Sequence, residues 1–210
     1  MKLYAEDIQE LDRISRLKLV NSISGVKPAN LVGTINRAGQ SNLAIFSSVV
    51  HLGSAPALLG LIARPLTQDS GHTLRNIKEM GQYTINHVHE EIVKKAHYTS
   101  AKFAPDISEF DRCGLEAYHV KGIKAPFVKE SKVKIGLEFK QAIPIEANGT
   151  TLVIGEIVYV ELEDKTLSDG TLDLEAAGST GISGLNGYYG LKKIDEFPYV
   201  RLNEVPEFVG

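Results

Sequence analysis

Two long segments of alternating residues, joined by a tight turn, limit this chain's fold more than any other feature. Val133, Ile135, Leu137 and Phe139 occupy alternate positions, with Lys132, Lys134, Glu138 and Lys140 on the opposite phase. Such a pattern places one set on each face of a strand. Asn148-Gly149 follows, the dipeptide best suited to a two-residue hairpin because its central residues must take positive φ. Residues 133–146 and 151–162 are therefore predicted to be paired antiparallel strands.

The same reasoning gives strands at 29–35, 42–50, 57–63, 83–88 and 127–131, with turns at Asn36-Arg37-Ala38-Gly39 and Gly53-Ser54-Ala55-Pro56. The run Ala57 to Ala63 is almost wholly apolar, which predicts a strand buried on both faces. Ile8, Leu11, Ile14 and Leu17 recur at helical spacing, predicting one amphipathic helix over about 5–17. A second helix is predicted over 74–80, with Leu74, Ile77 and Met80 on one face, Gly81 past its end and Ser70 or Thr73 as N-cap. A third is predicted over 90–100. Residues 104–111 read as a surface loop, and the chain after Asp164 as a Gly-rich tail. Gly178, Gly181, Gly184, Gly187 and Gly190 fall at every third position there, too few for a triple helix. That spacing reads as a loop lying close to backbone or to a ligand. Strands linked by hairpins favour a mainly β fold with peripheral helices, an antiparallel sheet closed into a barrel. One domain is expected over 1–210, with the Gly-rich tail at about 170–210.

The chain of 210 residues has a net charge of −3, and its basic residues are scattered. That balance argues against nucleic-acid binding. Cys113 is the single cysteine, so no disulfide closes within the chain. The segment from Met1 to Glu10 is not a signal peptide. The longest apolar stretch, 55–63, holds Pro56 and Gly60 and is too short to span a bilayer. A soluble cytoplasmic protein is expected. No Gly-x-Gly-x-x-Gly, Walker A or Gly-x-Ser-x-Gly sequence is present, and His87-x-His89 has no nearby third metal ligand.

What remains is a dense polar region from Asn42 to Thr73. Ser47, Ser48, His51, Ser54, Arg64, Thr67, Ser70, His72 and Thr73 cluster around apolar strands there. Hydroxyls and an arginine beside a helix start suit an anion such as phosphate. The same residues equally suit turn caps and a surface ion pair, so local chemistry leaves both readings open.

The run Asn42-Leu43-Ala44-Ile45-Phe46-Ser47-Ser48 resembles the Asn-Leu-Ala-Pro-Phe-Ser segment of the flavin reductase-like, FMN-binding split-barrel family, which includes the flavoredoxins. Lys27-Pro28 with Val32-Gly33-Thr34, then Arg64-Pro65, His72-Thr73-Leu74-Arg75-Asn76-Ile77 and Tyr83-Thr84-Ile85-Asn86, resemble further segments in order. So do Ile154-Gly155-Glu156-Ile157 and Gly187-Tyr188-Tyr189. The resemblance runs from about Lys27 to Tyr189. It departs at Ile45 (frequently proline), Lys27 (frequently arginine), Gly71-His72 (commonly Lys-Asp) and Ser183 (often arginine).

This resemblance implies a split-barrel homodimer that holds FMN, or alternatively FAD, near the subunit interface. It implies reduction of flavin by NADH or NADPH, which fits the missing dinucleotide fingerprint. The alternative within the family is a flavoredoxin-like electron carrier that keeps its FMN and serves a redox protein partner; a flavin-free barrel is the third reading. By position, Phe46, Ser47, Ser48 and Val49 would line the isoalloxazine and ribityl chain. Arg64, Ser70 and Thr73 would hold the phosphate, Thr34 and Asn42 would border the cleft, and Tyr188 or Tyr189 would close over the ring. His51 is the one nearby group suited to proton transfer at neutral pH. Flavin itself carries the redox chemistry, so no catalytic dyad is required.

Overall fold

In the computed structural model, which describes residues 1–66, 71–104 and 106–207, the chain opens with two helices, α1 (Ala5–Glu10) and α2 (Arg13–Ser22). They replace the single helix predicted over 5–17. The Asp12 carboxylate accepts hydrogen bonds from the N–H groups of Ile14 (2.9 Å) and Ser15 (3.1 Å), so it caps a fresh helix and breaks the first. Neither helix buries a residue, and Ile14, Val20 and Ile23 are exposed.

The strands that follow are β1 (Lys27–Pro28), β2 (Asn30–Ile35), β3 (Ser41–Phe46), β4 (Val50–Ser54) and β5 (Ala57–Ala63). Helix α3 (His72–Met80) leads into β6 (Gln82–His87). After a 3₁₀ turn at Glu90–Ile92 come α4 (Val93–Tyr98), α5 (Glu109–Cys113), β7 (Ala117–Tyr118) and β8 (Phe127–Val128). The long hairpin is β9 (Val133–Ile145) and β10 (Thr150–Leu162), and the tail holds β11 (Leu167–Ser168), β12 (Thr171–Leu172), β13 (Thr180–Ser183) and β14 (Gly187–Gly190). Four expectations change. The strand predicted over 42–50 is two strands, β3 and β4, parted at Ser47–Val49, and the turn predicted over 53–56 narrows to Ala55-Pro56 between β4 and β5. Part of the loop predicted over 104–111 is α5. The tail is not irregular throughout, because β13 bridges β1 and β14 in a separate three-stranded sheet. Among the described residues, no helix is long and apolar enough to cross a membrane.

Seven strands form the main sheet in the order β3-β2-β6-β9-β10-β5-β4, every neighbouring pair antiparallel. The two edges of this sheet are consecutive in sequence. Laid flat, they would stand about 29 Å apart at the usual strand spacing. Yet only Ser47, Ser48 and Val49 separate Phe46 from Val50, and four Cα steps reach at most about 15 Å. The sheet must therefore curl until its edges meet at this loop. The result is a barrel split along the β3–β4 seam.

Two cores follow from the alternation. Inside the barrel, Val32, Leu61, Tyr83, Ile85, Leu137 and Val153 pack with Leu74 and Ile77 of α3, and Phe46 and Val49 lean on them. On the outer face, Leu31 and Leu43 pack with Ile92, Ala96 and Phe110 beneath α4 and α5. β5, predicted to be buried on both faces, is only partly buried, because its neighbour β4 is the edge of the sheet. Lys134, on the phase expected to face solvent, is 7% exposed. Its Nζ lies 2.8 Å from Glu161 and 5.5 Å from the Tyr118 ring centroid, which covers it.

Candidate functional site

Helix α3 begins at Gly71, whose φ of +88° makes it a left-handed N-cap without a side-chain hydrogen bond. A Cβ there would meet Leu66 Cδ2 at 2.5 Å, a contact that exposed side chain can relieve, so it is the positive φ that calls for glycine. The cap is thus Gly71 rather than Ser70 or Thr73; Ser70 lies outside the described residues. Among the described residues no side chain caps this helix, and the positive end of its dipole suits an anion. Thr73 stands on this first turn. Its Oγ1 accepts a hydrogen bond from Asn42 Nδ2 at 3.2 Å, which leaves the hydroxyl proton to donate elsewhere. Thr34, pairing with Asn42 across the strands, is buried and accepts from Asn76 Nδ2 at 3.1 Å. Arg64 is exposed just beyond β5, two residues before the Leu66 that touches Gly71.

The seam loop is fixed by one side chain. Ser48 Oγ donates to the Ile62 carbonyl (3.2 Å) and accepts from the Ile62 N–H (3.1 Å). It therefore ties the loop to β5 and is committed to that backbone. Ser47 and Val49 are half-buried beside it. Facing Phe46 across β2 is Asn30, a residue sequence reasoning passed over. It is 1% exposed, and neither its amide nitrogen nor its oxygen has a partner among the described residues. A fully buried amide with no partner is rare in folded proteins. Its only sequence signal is a polar residue within an apolar strand.

The remaining sites separate by face. His51 is exposed on edge strand β4. Tyr188 packs with Ile45 on the outer core, its hydroxyl 3.1 Å from His97 Nδ1, and burial pushes that hydroxyl up to about 12. Tyr189 is half-exposed on the same strand. Asn42 and Phe46 point to the other face of β3, so within one chain the two tyrosines do not join Thr73. Cys113 ends α5; burial and then the Glu109 carboxylate push its thiol up, with Arg112 opposing, so it stays a thiol.

Beside the α3 tip lies a cleft of about 290 Å³, between the β2–β3 turn, α3 and the start of α5. Arg37, Asn42, His72, Arg75, Glu79 and Glu109 are among its walls. Glu109 is 7% exposed, accepts from the Leu43 N–H at 2.9 Å, and is raised above the usual carboxylate range by burial. His72 Nε2 is buried and has no partner among the described residues.

The family model for the flavin reductase like domain matches residues 26–175. The chain belongs to this family. A solved structure of a candidate flavin reductase with a split-barrel domain from Shewanella frigidimarina is 43% identical, with a TM-score of 0.90 over 95% of this chain and 100% of that one. The flavoredoxin of Desulfovibrio vulgaris shares the fold at 24% identity and a TM-score of 0.72, covering 83% of this chain and 91% of that one. An uncharacterized protein of Aquifex aeolicus is 28% identical over 90% of this chain and 95% of its own length.

Ser48→Ala strands the Ile62 N–H and carbonyl, so a loss of about 1–2 kcal/mol is expected in urea unfolding. An unchanged midpoint would refute the tie. His87, ending β6, has Nδ1 3.0 Å from Ser179 Oγ, and burial pulls its pKa from 6.5 down to about 4. The folded state then binds fewer protons than the unfolded one. Stability should be complete above pH 6.5 and fall as pH drops towards 4, by at most about 3 kcal/mol. His87→Gln should flatten that slope in thermal melts.

Proposed function

We propose that this flavin reductase-like domain holds FMN non-covalently and reduces it with NADH or NADPH. The observation that carries the reading is the α3 tip: among the described residues no side chain caps it, and the Thr73 hydroxyl stands on its first turn against Asn42 of β3. A phosphate suits that donor set, and Arg64 would add a charge-assisted hydrogen bond. The residues fit the cofactor, which when bound would accept hydride at its N5 position. The chain's part is to anchor the phosphate through Thr73 and Arg64, and to order the seam backbone through Ser48. Phe46 and Val49 would keep water from the ring. These tasks are positional, which is why a paired acid and base is unnecessary.

Two copies are proposed to assemble around the site. Ile14, Val20 and Ile23 of α2, and Ile194, Phe197, Tyr199 and Leu202 of the C-terminal segment, are exposed apolar side chains. So large an exposed apolar set marks an interface. Light scattering should give twice the chain mass of 22.9 kDa; a monomer would remove the dimer.

The activity is tested by mixing the full chain with FMN and each nicotinamide nucleotide and following nucleotide oxidation. Flavin-dependent turnover with either is expected. Tight FMN retention with no oxidation of either nucleotide would reject the reductase and leave the electron carrier.

A further inference from the structure

We propose that a cleft at the base of the long hairpin binds a small monovalent carboxylate, at a place separate from the α3 tip. It lies where β9 begins and β10 ends and has a volume of about 200 Å³. Ser131, Lys132 and Lys134 wall it on the β9 side, and Glu161 and Glu163 on the β10 side. Arg64 follows Ala63, which pairs with Thr151 at the opposite end of β10. About ten residues of strand, roughly 33 Å, separate that end from Glu161.

Hydrogen-bond donors in this cleft are unused. Ser131 is 1% exposed, and its Oγ has no partner among the described residues; a buried hydroxyl left so is rare. Lys134 is buried too. Its ammonium carries three donors, of which Glu161 takes one at 2.8 Å, with the Tyr118 ring centroid 5.5 Å away. Ser131 Oγ is covered in the unliganded chain, and the half-buried Lys132 beside it has the length to turn aside as a ligand enters.

Charge fixes the kind of ligand. Around the cleft Lys134 pairs with Glu161 at 2.8 Å, Lys165 with Glu163 at 2.9 Å, Lys129 with Glu116 at 2.6 Å and Lys95 with Glu130 at 3.8 Å. Lys132 is left without a carboxylate within 4.0 Å among the described residues. One unmatched ammonium calls for one negative charge. A dianion such as phosphate would bring a second charge against Glu161 and Glu163, in a place where burial strengthens repulsion. A carboxylate has two oxygens for this donor set, accepting charge-assisted hydrogen bonds from Lys132 and Lys134 and a hydrogen bond from Ser131 Oγ. Size limits the rest of the ligand. About 200 Å³ is below the usual range of small-molecule clefts, room for a few carbon atoms against the Leu162 side chain, which also lines the cleft.

The test is a thermal melt of the full chain titrated with sodium acetate, chloride being exchanged for it to hold ionic strength constant, and repeated with inorganic phosphate at pH 8. Acetate is expected to raise the melting temperature saturably, by about 5 °C at about fifty times a dissociation constant near a millimolar. Phosphate should bind more weakly than acetate. Lys132→Met should weaken acetate about tenfold, the loss of one hydrogen bond to a charged group. Ser131→Ala removes a hydroxyl without a partner in the unliganded chain, so its melting temperature without acetate should not fall, while acetate binds about threefold more weakly. The FMN constants of both variants should equal the parent's, which keeps this test apart from the function proposed above. No saturable acetate effect up to about 50 mM, or an acetate constant unmoved in Lys132→Met, would overturn the site. Phosphate binding more tightly than acetate would overturn its assignment to a monovalent carboxylate.

Discussion

Thr73→Val combined with Arg64→Ala is expected to weaken FMN binding about a hundredfold, roughly 2.7 kcal/mol, while the melting temperature moves by no more than a few degrees. The substitutions remove one hydroxyl donor and one charged donor from the same phosphate. Hydrogen bonds to charged groups contribute about 1.5–3 kcal/mol each, so the pair accounts for the loss. The fold should tolerate both changes. Valine keeps the shape of threonine on the first turn of α3, and Arg64 is exposed. Thr73 gives up only its bond from the half-buried Asn42, whose amide can turn to water. Lys78→Ala, on the exposed last turn of the same helix, should leave the affinity unchanged. An FMN constant within twofold of the parent in the double variant would place the phosphate elsewhere.

Gly33→Val is expected to unfold most of the protein at 37 °C, losing more than about 4 kcal/mol in denaturant titration. Gly33 sits in the buried strand β2, below a chain of polar contacts. Asn86 Nδ2 donates to Thr84 Oγ1 at 3.0 Å, and Thr84 Oγ1 donates to the Pro126 carbonyl at 2.7 Å. A Cβ on Gly33 would stand 2.5 Å from Thr84 Oγ1 and still closer to the Pro126 carbonyl oxygen. The neighbour is backbone, so no rotamer change relieves it, and overpacking there also breaks a buried hydrogen-bond chain. A stable, cooperatively melting Gly33→Val protein would show that β2 and the Pro126 loop can part.

What the sequence revealed tracks the range of the interactions involved. The 133–162 hairpin was legible because period-2 alternation and Asn148-Gly149 are local, although its turn has four residues, 146–149, rather than two, and takes positive φ at Gly149 but not at Asn148. The break between α1 and α2 was present in Asp12, but the apolar repeat of Ile8, Leu11, Ile14 and Leu17 runs through it. β13 and β14 were hidden because glycine at every third position masks alternation. Gly181 instead permits the close approach of Val26, the loop-packing side of the alternatives the glycine spacing left open. The seam could not be read locally, since it follows from pairing order across seven strands and only then from the shortness of the Ser47–Val49 loop. At the site, residue types pointed to Asn42 and Thr73, which the fold joins by a hydrogen bond. The same reasoning could not foresee that Ser48 is spent on Ile62. Nor could it foresee that Tyr188 lies on the opposite face of β3, or that Asn30 is buried without a partner.

The most direct measurement is a flavin titration of the purified, flavin-free full chain, read by fluorescence quenching and by the visible spectrum of the mixture. Saturation at one FMN per chain with a micromolar or tighter constant, accompanied by a bound-flavin spectrum, is the predicted result. Absence of quenching and of spectral change up to about a millimolar flavin would contradict it, leaving a barrel whose helix tip serves some other anion.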